Sequence, residues 1–279
     1  MTHINQNGSL VPMTQDQGLN QNRGFTYGDS LFDVLKIEAG KVGYLEEHYF
    51  RLMSSMRMLR IKIPSHFTLE VYEREILKTF EANAFRDSAR VRVSVFRDGG
   101  GHYTPKTNSS AYLIEIESIP VLSKSEYEIE LFKDYPVPSG LLSTVKTNNR
   151  MVNVLGSIFA EENDYQNAIL INERKELVGA TDSNLFLVKG QKIITPSLDS
   201  GCINGIIRKK VIEQLSKTEV YEVEESAVSP FELLKVDEVF LTNSIIGIQS
   251  VDRYRKKNYT RILADQLRLG SLGAFAHNL

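Results

Sequence analysis

The sequence predicts an α/β or mixed α+β protein of two domains, and three observations carry that expectation. At 279 residues the chain is too long for one average core and suits two domains of ordinary size. Arg90-Val-Arg-Val-Ser-Val-Phe96 alternates with period two, as a half-buried strand does. Leu45, Leu52, Met56 and Leu59 lie on one helical stripe, and short strand-like and helix-like runs alternate through the second half.

In chain order, Asn7-Gly8 marks a turn, and Gly24 to about Glu38 reads as a strand region. Lys36-Ile-Glu-Ala-Gly40-Lys41 is a hairpin tip. The Leu45–Leu59 helix stops before Pro64, and Thr68 caps a second helix that buries Leu69, Tyr72, Ile76 and Phe80. In the strand over 90–96, Val91, Val93 and Val95 share one face, and Arg90, Arg92 and Ser94 the other. Arg97-Asp-Gly-Gly-Gly-His102 is expected to be a mobile loop, and 111–117 a strand. The serine- and proline-bearing stretch that follows is the expected linker, set at 119–125 between domains of 1–118 and 126–279.

Beyond it, Met151, Val154, Leu155 and Ile158 line a helix. Ala168–Asn172 is a short strand, and 184–188, 189–191 and 192–196 read as strand, turn, strand. Asn204-Gly205 precedes a helix carrying Ile207, Val211 and Leu215, and 237–244 is a strand ending in polar residues.

Composition excludes several function classes. Thirty-three basic residues against 35 acidic ones, with no basic stripe, give no footprint for nucleic acid or a membrane surface. No apolar run approaches the roughly 20 residues a spanning helix needs. The polar opening residues predict no secretory signal. A single cysteine, Cys202, excludes an internal disulfide, and the five histidines show no metal-ligand spacing. A reducing cytoplasm is the expected location.

Several residues have a chemical reading beside a plain one. A helix start such as Asn204-Gly205-Ile206-Ile207-Arg208 offers free N–H groups and a positive dipole to a phosphate, and Gly205 lets it come close. The same pattern also describes an ordinary capped helix. Lys146, after an apolar turn and before a helix, can act as an amine nucleophile if partly desolvated, or be a solvated surface lysine. Arg90 and Arg92 can clamp a carboxylate or form the wet face of their strand. Arg51, one turn after His48, can bind an anion or make a surface ion pair. Tyr27-Gly28-Asp29-Ser30 and Asn243-Ser244 are binding loops or turns.

The order of these features is informative. Tyr27-Gly-Asp-Ser-Leu-Phe-Asp33, His48-x-x-Arg51-Leu52, Lys146 with Asn153-Val154-Leu155, Ser183-Asn184-Leu185-Phe186, Thr195-Pro196, Gly205-Ile206-x-Arg208 and Asp237-Glu-Val-Phe-Leu241 succeed one another from about residue 5 to residue 252. This set resembles the class IV, or fold-type IV, aminotransferases, which include branched-chain and D-amino-acid aminotransferases and aminodeoxychorismate lyase. The resemblance implies a small N-terminal α/β domain, a larger C-terminal one, pyridoxal 5'-phosphate (PLP) between them, and a homodimer. It implies that Lys146 carries the cofactor and shuttles the proton. It further assigns Arg51, Gly205, the N–H groups of Ile206 and Ile207, and Ser244 to the phosphate, and Ile203 to the pyridine ring. Tyr27, Arg90, Arg92 and Ile245 fall in the substrate pocket, which implies a small carboxylate-bearing substrate. An amino acid/2-keto acid transaminase is expected, with a lyase as the alternative.

The chain departs from the pattern where the family places a glutamate against the ring nitrogen, five residues before Asn184. Gly179 stands there; Glu176 does not reach that position without a gap, and Asp182 is nearby with a side-chain direction that the sequence does not give. Without the carboxylate the cofactor is a weaker electron sink, so a weakly catalytic PLP- or anion-binding descendant is the third reading. A descendant without PLP has no chemical reason to keep both Lys146 and Arg51. Ile207 replaces a common threonine, Met151 a common tyrosine and Asp33 a common glutamate.

Overall fold

The computed structural model describes residues 2–13, 22–85, 87–119 and 126–269. Contacts divide the chain into two compact units, Met1–Val121 with Lys146–Asn149, and Leu122–Val145 with Arg150–Leu279. The expected linker lies outside the described residues from position 120 onward. Four residues expected in the C-terminal domain, Lys146–Asn149, group with the N-terminal unit.

The first unit begins with the hairpin β1 (His3–Gln6) and β2 (Ser9–Pro12), which turns at Asn7-Gly8. A short helix, α1 (Arg23–Tyr27), follows where the sequence reading expected strand. The reason is local: the Asn22 side chain accepts from the Phe25 N–H, and Gly28 closes the helix in the left-handed region at φ 62°. Next come β3 (Ser30–Glu38), β4 (Lys41–Val42), α2 (Leu45–Met58), α3 (Leu69–Ala82), β5 (Ser88–Arg97) and β6 (Ser110–Glu117). The strands form one antiparallel sheet in the order β2-β1-β6-β5-β3-β4. Ala39 and Gly40, both at positive φ, make the expected hairpin tip.

The period-two pattern sorts the sheet's two faces. Leu31, Leu35 and Ile37 of β3 and Val91, Val93 and Val95 of β5 pack with Leu52, Met53 and Met56 of α2 and Tyr72, Ile76 and Phe80 of α3. Asp33 shares this buried face by parity, whereas Phe32, Val34, Arg90, Arg92 and Ser94 alternate onto the other. Arg97, expected in a loop, ends β5. Its guanidinium is tied to Asp29 at 3.0 Å and to the carbonyls of Leu59 and Arg60.

The second unit comprises β7 (Glu128–Val137), α4 (Met151–Glu162), β8 (Asn167–Asn172), β9 (Leu177–Ala180), β10 (Asn184–Lys189), β11 (Lys192–Pro196), α5 (Ile206–Leu215), β12 (Glu222–Ser226), β13 (Glu238–Asn243), β14 (Gly247–Val251), β15 (Arg253–Tyr254), β16 (Lys257–Asn258) and α6 (Ile262–Leu269). Two five-stranded mixed sheets result, β12-β11-β10-β13-β14 and β16-β15-β7-β8-β9. The sequence reading missed β7, whose alternation is broken by an irregularity between Phe132 and Val137. Helix α4 turns Gly156 and Ala160 to the core. Of its expected apolar stripe, Leu155 packs against that core with Val152 and Phe159, whereas Met151, Val154 and Ile158 face outward, exposed by 68, 51 and 42 %. Among the described residues no helix is long and apolar enough to cross a membrane.

Candidate active site

Lys146 is placed by backbone pairing to the start of β3. Its carbonyl accepts from the Phe32 N–H at 2.8 Å, and the Asn148 N–H donates to the Ser30 carbonyl at 3.1 Å. The Asn149 side chain donates to the Gly28 carbonyl, and a Cβ at Gly28 would come within 2.2 Å of Asn149 Oδ1. Gly28 is therefore needed twice, for its positive φ and for this approach.

The pairing sets the Lys146 amine above the Phe32 ring, 4.7 Å from its centroid. Arg92 lies against the same ring at 3.9 Å and donates to Ser94 and Asn148. Burial lowers the Arg92 guanidinium from its ordinary value, and Glu115 partly offsets this. Arg90 is directed elsewhere, into an ion pair with Glu117. Of the two arginines read from the sequence, only Arg92 stands with Lys146. Phe32, which seats both cations, was quoted only as part of a motif; its alternation with the buried Leu31 and Asp33 was the available signal.

On the other face of β3, Asp33 collects two partners from α2. Arg51 donates from Nε at 3.1 Å and from Nη2, and His48 Nδ1 lies 2.9 Å from Asp33 Oδ1. Burial would raise the Asp33 carboxyl, but Arg51 and His48 outweigh it and hold the group well below the usual carboxylate range. Burial lowers His48, and Arg51 and Lys146 act in the same direction against Asp33. The imidazole is then neutral and donates its Nδ1–H to the carboxylate. Among the described residues, the buried His48 Nε2 and Tyr72 hydroxyl have no hydrogen-bond partner.

Tyr27 projects from the end of α1, 39 % exposed, with its hydroxyl 3.4 Å from His102 Nδ1 and its ring edge-on to Tyr103. Arg23 lies over the same ring and donates to Asp29 and to the carbonyls of Gly101 and His102. His102 and Tyr103 were not singled out by sequence, because only this fold-back of the 98–109 connection brings them to Tyr27.

In the second unit, Gly205 starts α5 and no side chain caps that helix. A helix start of this kind presents its first N–H groups to an acceptor. A Cβ at Gly205 would lie 2.0 Å from Asn184 Oδ1, while the Asn184 amide holds the Ile203 carbonyl at 2.8 Å. Asn184 therefore fixes the turn carrying Ile203, Gly205, Ile206 and Ile207. At the end of β13, Asn243 Oδ1 accepts from the Ile245 and Ile246 N–H groups, shaping the turn that holds Ser244 and Ile245.

Gly179 is buried in β9, and a Cβ there would lie 2.8 Å from the Ser183 carbonyl oxygen. That oxygen already accepts from the Ala180 N–H at 2.8 Å. The nearby carboxylates are engaged elsewhere. Asp182 accepts from Asn167 and Ser183, and Glu176 from Asn172 and Arg174. An amine at Lys146 and a helix start at Gly205 are groups of the kind PLP needs, and the two carboxylates of the segment 176–182 are both held by other partners. Among the described residues no group of three or more His, Cys, Asp or Glu is placed to hold a metal ion.

Comparison with known proteins shows the family. The amino-transferase class IV family matches residues 30–254. The chain belongs to the class IV aminotransferase family. An aminodeoxychorismate lyase of Vibrio harveyi is 28% identical over 236 residues, covering 82% of this chain and 84% of that protein. A D-alanine aminotransferase of Bacillus licheniformis is 28% identical over 255 residues, covering 88% and 87%. A branched-chain aminotransferase of Thermoproteus uzoniensis, crystallised with norvaline, shares the fold with a TM-score of 0.85 at 19% identity, over 98% of this chain and 95% of that one. Class IV aminotransferases are PLP enzymes, and this member is an aminotransferase or a related lyase.

Proposed function

We infer that this class IV enzyme is a transaminase acting on an amino acid/2-keto acid pair, with PLP attached through Lys146. The observation that carries the reading is the pairing of 146–148 to β3, which sets the Lys146 amine over Phe32 beside Arg92. Arg92, a half-buried cation to which, among the described residues, no carboxylate is bonded in the way Glu117 is bonded to Arg90, suits the substrate carboxylate. Tyr27 and Ile245 suit the remainder of the substrate. The uncapped start of α5 at Gly205, Ile206 and Ile207, with Ser244 and Arg51, suits the phosphate, and Ile203 the pyridine ring. When bound, PLP draws electrons from the bonds at the amino acid's α-carbon. Lys146 Nζ then takes the α-proton and returns it, and Arg92 holds the carboxylate so that one bond faces Nζ. The outward apolar stripe of α4 supports the homodimer.

Borohydride reduction of the PLP-loaded protein should place one label on the peptide bearing Lys146 and none on Lys146→Ala. A label that persists in the variant would sink the assignment. A panel of amino acids should then shift the visible band with one of them and yield its 2-keto acid. Pyruvate released from an aminodeoxychorismate-type substrate instead would make the enzyme a lyase, the activity named for the Vibrio harveyi relative. Binding without turnover would identify the weakly catalytic descendant that Gly179 motivates.

A further inference from the structure

We propose that Asn148 and Ser94 position Arg92 through neutral acceptors, which leaves its charge to the substrate's carboxylate. The inference rests on the assignment of Arg92 made above and names how that residue is held. Phe32 stands opposite Ser94 in the pairing of β3 with β5, and Arg92 precedes Ser94 by two residues on the same face. Leaning along its strand, the Arg92 side chain passes Ser94 and comes over Phe32. Its Nε donates to Ser94 Oγ at 3.2 Å, and the guanidinium carbon lies 3.9 Å from the ring centroid. The bridge between Leu31 and Thr147 brings a further segment alongside β3, and there Asn148 Oδ1 accepts from Arg92 Nη2 at 3.1 Å. Asn148 is itself held through its N–H, which donates to the Ser30 carbonyl. Two acceptors on two segments, with one ring, thus fix the plane of a rigid guanidinium.

The chemistry of these partners carries the inference. On the same face of β5, Arg90 is paired with the Glu117 carboxylate. An arginine so paired has its charge balanced and attracts a second carboxylate weakly. Arg92 meets instead a hydroxyl, an amide oxygen and a ring face, none of which carries a net charge. Glu115 stands opposite Arg92 in the pairing of β5 with β6, and among the described residues no ion pair joins the two. Neutral acceptors set the direction of the guanidinium without balancing its charge. Asn148 also lies on the segment that carries Lys146, so one backbone pairing to β3 places both the amine and the arginine over Phe32.

The test uses the PLP-loaded full-length protein and its visible band. Both enantiomers of the common amino acids are titrated, and the one bound most tightly is compared with the amine that lacks only its carboxylate. The ratio of the two affinities measures what the carboxylate contributes. The wild type should favour the amino acid strongly. Asn148→Ala should lose about threefold to tenfold of that ratio. Asn148→Asp, nearly identical in shape, should lose more, about tenfold to thirtyfold, because its own carboxylate occupies Arg92. Amine affinity and borohydride labelling at Lys146 should stay within about twofold in both variants. Ser94→Ala, remote in sequence from the lysine, should lose about threefold. A merely structural role predicts that Asn148→Asp loses no more than Asn148→Ala, or that amine and amino acid weaken alike. Either result overturns the proposal and leaves the PLP reading intact. A wild type that labels at Lys146 without favouring the amino acid overturns the assignment of Arg92 and this proposal with it. A band that no amino acid shifts overturns the transaminase reading as well. If the Asn148 variants fail to fold or to label, Ser94→Ala decides: a reduced ratio supports the proposal and an unchanged one overturns it.

Discussion

The two units hold their candidate residues by different means. Around β3 the first unit uses side chains: Asp33 orders Arg51 and His48 on one face, and Phe32 seats Lys146 and Arg92 on the other. The turns at 179–184 and 203–207 use backbone, with glycines wherever another segment comes too close for a Cβ. Side-chain construction tolerates conservative exchange, since a new group can find the old partner. Backbone construction does not, because any side chain displaces a neighbouring segment.

The sharpest way to break this contrast lies on the open face of β5. Arg92→Leu should lower kcat/KM roughly tenfold to a hundredfold, the value of a hydrogen bond to a charged group at about 1.5–3 kcal/mol. Arg90→Leu, which removes a partner only from the exposed Glu117, should change kcat/KM by less than about twofold. Equal losses from the two variants would mean that the structure's separation of these arginines has no functional meaning.

Gly205→Ala asks the same question of the backbone-built region. Its φ of −74° strains no residue, so the whole effect is steric, from a Cβ 2.0 Å from Asn184 Oδ1. Asn184 must then yield, and it holds the Ile203 carbonyl. Overpacking of this kind costs about 1–3 kcal/mol. For a chain of this size that lowers Tm by roughly 2–4 °C per kcal/mol, and PLP affinity should fall with it. A variant with unchanged Tm and affinity would show that the 203–207 turn is not held through Asn184.

Gly179→Glu restores the carboxylate that the family resemblance places against the ring nitrogen. The Ser183 carbonyl lies where its Cβ must go, so Tm should fall by several degrees, in line with the same overpacking range. If the missing carboxylate limits this enzyme, transamination per folded molecule rises in spite of that loss. An unchanged or lower rate would show that another group holds the ring nitrogen.

These positions also mark what was legible in the sequence. Parity alone assigned Val91, Val93 and Val95 to the core and Arg90 and Arg92 to the opposite face, because period two is a property of the strand itself. Thr68 as a cap and Ala39-Gly40 as a hairpin tip were local signals of the same kind. What parity could not give was the partner: that Arg90 meets Glu117 while Arg92 meets Phe32 depends on which strand lies alongside and on a segment 54 residues later in the chain returning to β3. Helix α1 was misread because Asn22 and Gly28 act through a side-chain cap and a left-handed residue that interrupt an otherwise strand-like run. The outward stripe of α4 was visible as periodicity but not as orientation, since Gly156 and Ala160 win the core by being small. Gly179 was seen only as a missing glutamate; the Ser183 carbonyl that excludes a side chain there comes from the turn's shape.

The smallest expected effect separates the two kinds of construction by pH. His48 is buried and neutral, its proton affinity lowered by burial and by Arg51 and Lys146. An unfolded chain therefore takes up a proton on this residue more readily than the folded one. Below the ordinary imidazole value near 6.5, folding stability must fall as pH falls, with a slope of at most about 1.4 kcal/mol per pH unit. Asp33 does not confound this window: its carboxyl is held low, so its contribution is complete above the usual carboxylate range and is lost only in stronger acid. Urea unfolding between pH 5 and 7 should show the slope in the wild type and a flatter profile in His48→Gln. Gly205→Ala, which alters no titrating group, should keep the wild-type slope at a lower stability throughout. A His48→Gln profile steeper than the wild type's would mean that the imidazole is charged beside Asp33.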